Sequence, residues 1–165
     1  METRCKKAIE AIKQQLDTGD ILLRKGFGLL STLISLFFKI PYSHVGLVIK
    51  TANGIRVYDM QPGRYRPLAF STFEKFFYGS KRLEIIFFSK FLTKQEKKCI
   101  IREVQYFYNK KPKYDYTFSR GEDKLFCLEF VYLVLKRCKL IKKFKKVYKS
   151  SKYFRMLKHF DNLLK

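Results

Sequence analysis

Tryptophan is absent from the 165 residues, histidine appears twice, and acidic residues number only fourteen against thirty-six Lys and Arg. The shortage of acids leaves a net charge of +22. A chain so charged favours anionic partners: nucleic acid, an acidic membrane surface or a phosphorylated substrate. The same richness in Lys, Ile, Phe and Tyr also follows from an AT-rich genome. Cysteine is sparse too. Cys5, Cys99, Cys127 and Cys138 are irregularly spaced, with no CxxC pair and no nearby histidine to complete a zinc site. The spacing argues against a disulfide framework, and free thiols in a reducing compartment are expected. No apolar run is long enough to span a bilayer. The longest, Phe27 to Phe38, has twelve residues and reads as a buried or interface-facing helix. Met1 to Gln15 is charged and helix-patterned rather than secretory, so a cytoplasmic protein is expected, peripheral membrane association included. Neither paired RNP strands nor zinc-finger spacing is present, which makes nucleic acid the weaker partner class. No internal repeat or low-complexity linker divides the chain.

The 47% hydrophobic content suits one globular core. A helix is predicted over Lys6 to Leu16, where Ile9, Ile12 and Leu16 share a face. Asp17 to Asp20 breaks it before a strand at Ile21 to Leu23. Val45 to Ile49 and Ile55 to Met60 form a hairpin around Thr51-Ala52-Asn53-Gly54, because Asn-Gly tolerates positive φ. Ser71 or Thr72 caps a short helix ending near Tyr78, and Leu83 to Phe88 forms a strand. Thr93 to Glu96 has the form of a capping box, opening a helix that carries Ile100, Val104 and Phe107 inward. Phe126 begins a buried helix that runs to about Arg137. The result is an α+β domain over residues 1–137, with a basic extension over residues 138–165.

Two residues stand out chemically. His44 sits at the mouth of an apolar strand, where a neutral imidazole can act as a general base near pH 7. The plainer reading is a histidine that ends a strand and bonds to backbone. Cys127 lies where a polar, aromatic-dotted loop gives way to an apolar helix. A thiol in the first turn of a helix feels the positive end of the helix dipole, which favours thiolate. A buried core cysteine is the common alternative. Cys99 and Cys138, among lysines and inside a basic run, lack that setting.

The ordered segments Gly19-Asp20-Ile21-Leu22-Leu23, Ser43-His44-Val45-Gly46, Val57-Tyr58-Asp59 and Phe126-Cys127-Leu128-Glu129 resemble the circularly permuted NlpC/P60 group of papain-like proteins. That group includes YiiX-like proteins, a poxvirus branch and, distantly, the lecithin–retinol acyltransferase-like enzymes. In ordinary NlpC/P60 domains the cysteine helix precedes the histidine strand; here the histidine comes first, as in the permuted branch. The segment Pro112 to Phe118 is similar to that branch's loop ahead of the cysteine, and the likeness covers roughly residues 17 to 137. The resemblance implies a small antiparallel sheet packed against helices and a thiol hydrolase or acyltransferase acting on an acyl, peptide or lipid substrate. No cofactor or metal is implied. Cys127 would be the nucleophile, His44 its base and Asp59 the orienting acid, where the branch often has Glu. Leu128 stands where the group carries serine, and Asp20 matches a turn-holding residue. Tyr42, Tyr114 and Tyr116 are candidate substrate contacts.

The hairpin register bears on that triad. A two-residue turn centred on Asn53-Gly54 sets Val48 opposite Asp59 and leaves His44 about 13 Å away. A four-residue loop, Thr51 to Gly54, pairs Gly46 with Asp59 and shortens the offset to about 7 Å. Should the tight turn hold, another polar group must orient His44, and Gln61 is the next candidate. Finally, Lys136 to Lys158 holds eleven basic residues and no acid, with Leu140, Ile141, Phe144, Val147 and Tyr148 at helical spacing. That pattern suits an acidic membrane surface, nucleic-acid phosphates, or a solvated helix with its stripe on the domain. A basic binding protein with idle catalytic residues is therefore the second function class.

Overall fold

The computed structural model describes residues 2–27, 36, 41–116 and 122–148; the segment Leu29 to Phe38, most of which was expected to be helical, falls mainly outside these, as do Thr117, Phe118 and His159. Helix α1 spans Glu2–Gln15. Five strands follow, β1 (Ile21–Lys25), β2 (His44–Thr51), β3 (Gly54–Met60), β4 (Leu68–Thr72) and β5 (Arg82–Ile86), with the short helix α2 (Phe73–Tyr78) between the last two. They form one antiparallel sheet in the order β4-β3-β2-β1-β5. A 3-10 turn (Phe88–Phe91) leads to α3 (Lys94–Lys110); β6 (Lys113–Tyr114) pairs in parallel with β7 (Lys124–Leu125), and α4 (Cys127–Arg137) and α5 (Ile141–Val147) close the described chain.

The sheet is the middle of three layers, and strand alternation assigns its faces. Ile21, Leu23, Val45, Leu47, Ile49, Tyr58 and Met60 pack with α3, α4 and α5. Leu22, Val48 and Val57 face the other way, onto Ile9 and Leu16 of the α1 segment and Phe73 and Phe76 of α2. By the same alternation Arg24, His44, Gly46 and Asp59 continue this second face toward the end of the sheet. There the apolar stripe turns into charge.

Local signals account for the helix starts. Thr72 caps α2 by accepting from the Lys75 N–H. Thr93 and Glu96 form the full capping box predicted for α3, worth about 1 kcal/mol for the threonine alone. Ile100, Val104 and Phe107 are buried as their spacing requires. Asp20, fully buried, accepts from the N–H groups of Asp17 and Ser89, both at 2.8 Å, which fits its expected turn-holding part.

Three expectations are corrected. The hairpin does not form the tight Asn53-Gly54 turn: Thr51 pairs with Gly54 across Ala52-Asn53, the positive φ (+106°) falls on Gly54, and the register is that of the Thr51–Gly54 alternative. Shifting the turn by one residue gives the Gly46–Asp59 register without a longer loop. The strand expected through Phe88 stops at Ile86, because Phe88 enters the 3-10 turn. Cys99 and Cys138, expected as free thiols, form a disulfide with Cα atoms 5.8 Å apart, since the end of α4 lies against α3. Over its described part the basic extension, expected to pack on or beside the domain, buries Leu140 and Phe144 in the main core, with Ile141 and Tyr148 partly buried against it.

Candidate active site

β2 delivers His44 as its first residue, and the diagonal step from Gly46 places Asp59 of β3 within reach on the same face. The His44 Nε2–H donates to Asp59 Oδ2 at 2.5 Å. Asp59 is fully buried and His44 nearly so, its side chain 11% exposed. Gln61 donates through Nε2 to both oxygens of the same carboxylate, at 2.9 and 3.1 Å. With Asp59 held from two sides, the imidazole is fixed in plane and tautomer, which leaves its Nδ1 for the remaining partner.

That partner is Cys127. Cys127 is buried, and its side chain lies close enough to the His44 ring to act on its pKa. Cys127 is the first residue of α4, whose opening N–H groups have no side-chain cap from Phe126. Burial by itself would lower the His44 pKa, but the charge at Cys127 and the Asp59 hydrogen bond outweigh it and push it up to about 9. His44 is therefore protonated at neutral pH. Sheet and helix thus supply different halves of one constellation: two groups from adjacent strands, one from a helix laid across them.

Phe76 of α2 lies beneath the strand side. It stacks with His44, ring centroids 6.0 Å apart, and carries the Arg24 guanidinium 4.5 Å above its centroid. Gly46 permits this: a Cβ there would meet Val57 Cγ1 at 2.5 Å and the Phe76 ring at 3.0 Å. Arg24 pairs with His44 across β1 and β2, and its Nη2 lies 4.0 Å from Asp59 Oδ2. Arg24 is not marked by any local sequence feature; only the pairing of β1 with β2 sets it opposite the histidine.

The tyrosine candidates separate. Tyr42 is buried in the core, with Arg82 over its ring at 5.5 Å, and takes a packing position. The rings of Tyr114 and Tyr116 meet tilted at 53°, centroids 4.8 Å apart. Burial, helped by the charge at Cys127, raises the Tyr114 pKa, so it stays a neutral phenol beside the thiol. Tyr116 is mostly exposed, and its hydroxyl accepts from the Gly63 N–H at 2.8 Å, tying the loop after Gln61 to the loop before Cys127. Behind the thiol, Glu129 is buried with Oε2 unpartnered; burial first, then the neighbouring Asp115, push its pKa up to about 7. Among the described residues no three His, Cys, Asp or Glu side chains gather to hold a metal ion.

No known protein-family profile matches the chain, and no curated protein matches it. Among solved structures it is similar to metalloprotein yiiX (DUF1105) from Escherichia coli O157:H7, with TM-score 0.66 and 20% identity over 75% of this chain and 67% of that one. The fold is accordingly YiiX-like, an α+β arrangement with a five-stranded antiparallel sheet packed against helices. No helix among the described residues is long and apolar enough to cross a membrane.

Proposed function

We propose that this chain is a papain-like thiol hydrolase or acyltransferase of the permuted NlpC/P60 type, with Cys127 as nucleophile, His44 as its acid and base, and Asp59 as the orienting group. The observation that carries the reading is the His44 ring spanning from the Asp59 carboxylate to the Cys127 thiol. A nucleophile, a base and an orienter in sequence are the parts that acyl transfer needs.

The Cys127 sulfur, as thiolate, attacks the carbonyl carbon of an amide or ester, and the C=O π pair moves to oxygen. The N–H of Cys127, in the uncapped first turn of α4, supplies a donor for that oxyanion. His44, charged at neutral pH, passes its proton to the departing nitrogen or oxygen as the carbonyl re-forms and the bond to the leaving group breaks. A thioester remains on Cys127. His44, now neutral, takes a proton from water or from an acceptor hydroxyl or amine. That nucleophile bonds to the acyl carbon as the C–S bond breaks, which releases the acyl group and restores the thiolate beside protonated His44. Proton transfer of this kind contributes about 10²- to 10⁴-fold.

Incubation with a library of acyl-donor probes, followed by mass mapping of the adduct, tests the reading. A thioester adduct on Cys127 is expected, absent in Cys127→Ala and strongly reduced in His44→Ala. The excess of surface lysine favours the rival, a basic binding protein with an idle triad. That rival predicts retention of an anionic partner by Cys127→Ala and no adduct or turnover with any acyl donor.

A further inference from the structure

Arg24 is a mostly buried cation with no hydrogen-bond acceptor among the described residues. Its side chain is 21% exposed, and its Nε is shut off from water with no hydrogen-bond partner. The closest ion-pair geometry among the described residues is the 4.0 Å approach to Asp59, too long for a hydrogen bond. Asp59 is already engaged by His44 and by Gln61, so balancing that carboxylate does not use the guanidinium's fork. Phe76 supports one face of Arg24, and Gly79 leaves room for its Nη1, where a Cβ would stand 2.7 Å away. Sequence and packing thus hold a planar five-donor group in place at the site, with no acceptor for its buried Nε among the described residues. Burying a charged donor without an acceptor costs more than burying a paired one, so such a group marks a place that a ligand completes.

Resting on the reading above, we propose that Arg24 is the specificity residue of the Cys127 site, a fixed fork that binds a carboxylate or phosphate group of the acyl substrate beside the bond that Cys127 attacks. The fork geometry of guanidinium matches two oxygens of either anion. Because Arg24 and His44 face each other across one strand pair and share the Phe76 platform, an anion on Arg24 sits within a residue's length of the base. The two anion types share this chemistry and are told apart below.

Alkylation of Cys127 by iodoacetate and by iodoacetamide, mapped by mass spectrometry, provides the test without any knowledge of the substrate. In both reactions sulfur bonds to the CH₂ carbon as the C–I bond breaks and iodide departs; the two reagents differ in their negative charge. Wild type is expected to show an iodoacetate-to-iodoacetamide rate ratio about tenfold above that of a free cysteine peptide. Arg24→Met should abolish that excess, Arg24→Lys should keep part of it, and Lys98→Gln, which removes one exposed charge on α3, should leave it intact. In wild type the iodoacetate rate should saturate. Acetate competing better than inorganic phosphate assigns a carboxylate; the reverse assigns a phosphate. A ratio equal to that of the free peptide, linear rates with both reagents, or an equal loss in Lys98→Gln overturns the proposal, even if Arg24→Met does not fold. Alkylation requires the thiol and not turnover, so an absent acyl-enzyme would sink the hydrolase reading while leaving this measurement to stand or fall alone.

Discussion

Helix α4 begins in one electrostatic regime and ends in another, about 16 Å away at 1.5 Å per residue. At its start the charges are few, buried and mutually dependent: Cys127 on His44, His44 on Asp59, and Glu129 with an unpartnered oxygen. At its end they are numerous, half-exposed and redundant. Arg137 pairs with Glu103 at 2.9 Å and Glu122 at 3.2 Å, and lies over Tyr106 at 4.2 Å. Nearby, Lys143 meets Glu96 at 2.6 Å. Water screens the pairs of Arg137 with Glu122 and of Lys143 with Glu96, so each is worth about 1 kcal/mol or less, while Glu103 is the buried member of this set. Low polarity amplifies the first set, so loss of one member strands another. The chain uses its scarce acids in two ways: some join helices at the surface, and a few set protonation inside.

The sharpest way to break this contrast is at the buried end. Cys127→Ala should abolish turnover, and His44→Ala should lower it by about 10²- to 10⁴-fold with the fold retained by circular dichroism. Asp59→Asn should lower it strongly while Asp59→Glu retains part; wild-type activity in Asp59→Ala would remove Asp59 from the mechanism. Activity should also fall as pH rises through about 9, where His44 loses the proton it passes to the leaving group. The same shift has a stability sign. His44 holds its proton more tightly folded than unfolded, so its contribution is fully present below about pH 6.5 and is lost as pH rises toward 9. A Tm that is flat from pH 6 to 9 in wild type would contradict it.

Next in size is the disulfide at the other end. It closes 39 residues between α3 and the end of α4, and reduction should cost about 2–4 kcal/mol in a denaturant titration. Labelling should find Cys99 and Cys138 silent until a reductant is added.

Glu129 sharpens the comparison further. Its folded pKa is raised to about 7, so its neutral form is the comfortable one; the stabilising contribution present below its ordinary range is lost as pH climbs through 7. Glu129→Gln should therefore raise Tm at pH 8 and change little at pH 5. A lower Tm at pH 8 would mean that the carboxylate has a partner it needs. The smallest effect belongs to Lys143→Ala, expected to cost about 1 kcal/mol or less and to shrink with added salt.

Those regimes also explain what was legible in the sequence. The helix starts at Thr72 and Thr93 and the inward faces at Ile100, Val104 and Phe107 follow from local rules, and they were readable. His44 and Cys127 were readable as candidates because strand mouths and helix starts are local features. Arg24 was not, since the pairing of β1 with β2 that sets it opposite His44 is a contact across twenty residues of chain. Strand β4 was hidden because its burial alternates weakly at the sheet edge. The Cys99–Cys138 bond was hidden because helix packing, not spacing, brings the sulfurs together. The basic stripe at Leu140 and Phe144 had three outlets by periodicity alone; packing sent these two residues into the core. Truncation after Leu140 would remove Phe144 at a cost of about 3–5 kcal/mol, so it is no clean test of surface binding.

The bare backbone at Gly46 sets how the site can change over generations. Every other amino acid brings a Cβ, and a Cβ there meets Val57 and the edge of Phe76. Whatever lifts Phe76 tilts the ring of His44 and unseats Arg24 together, since both rest on it. Gly46 touches neither proton nor sulfur, yet it tolerates no replacement without moving two functional groups at once. Drift in activity or selectivity therefore enters more readily elsewhere, at the exposed Tyr116 on the loop before Cys127, where a side chain can change without disturbing the floor.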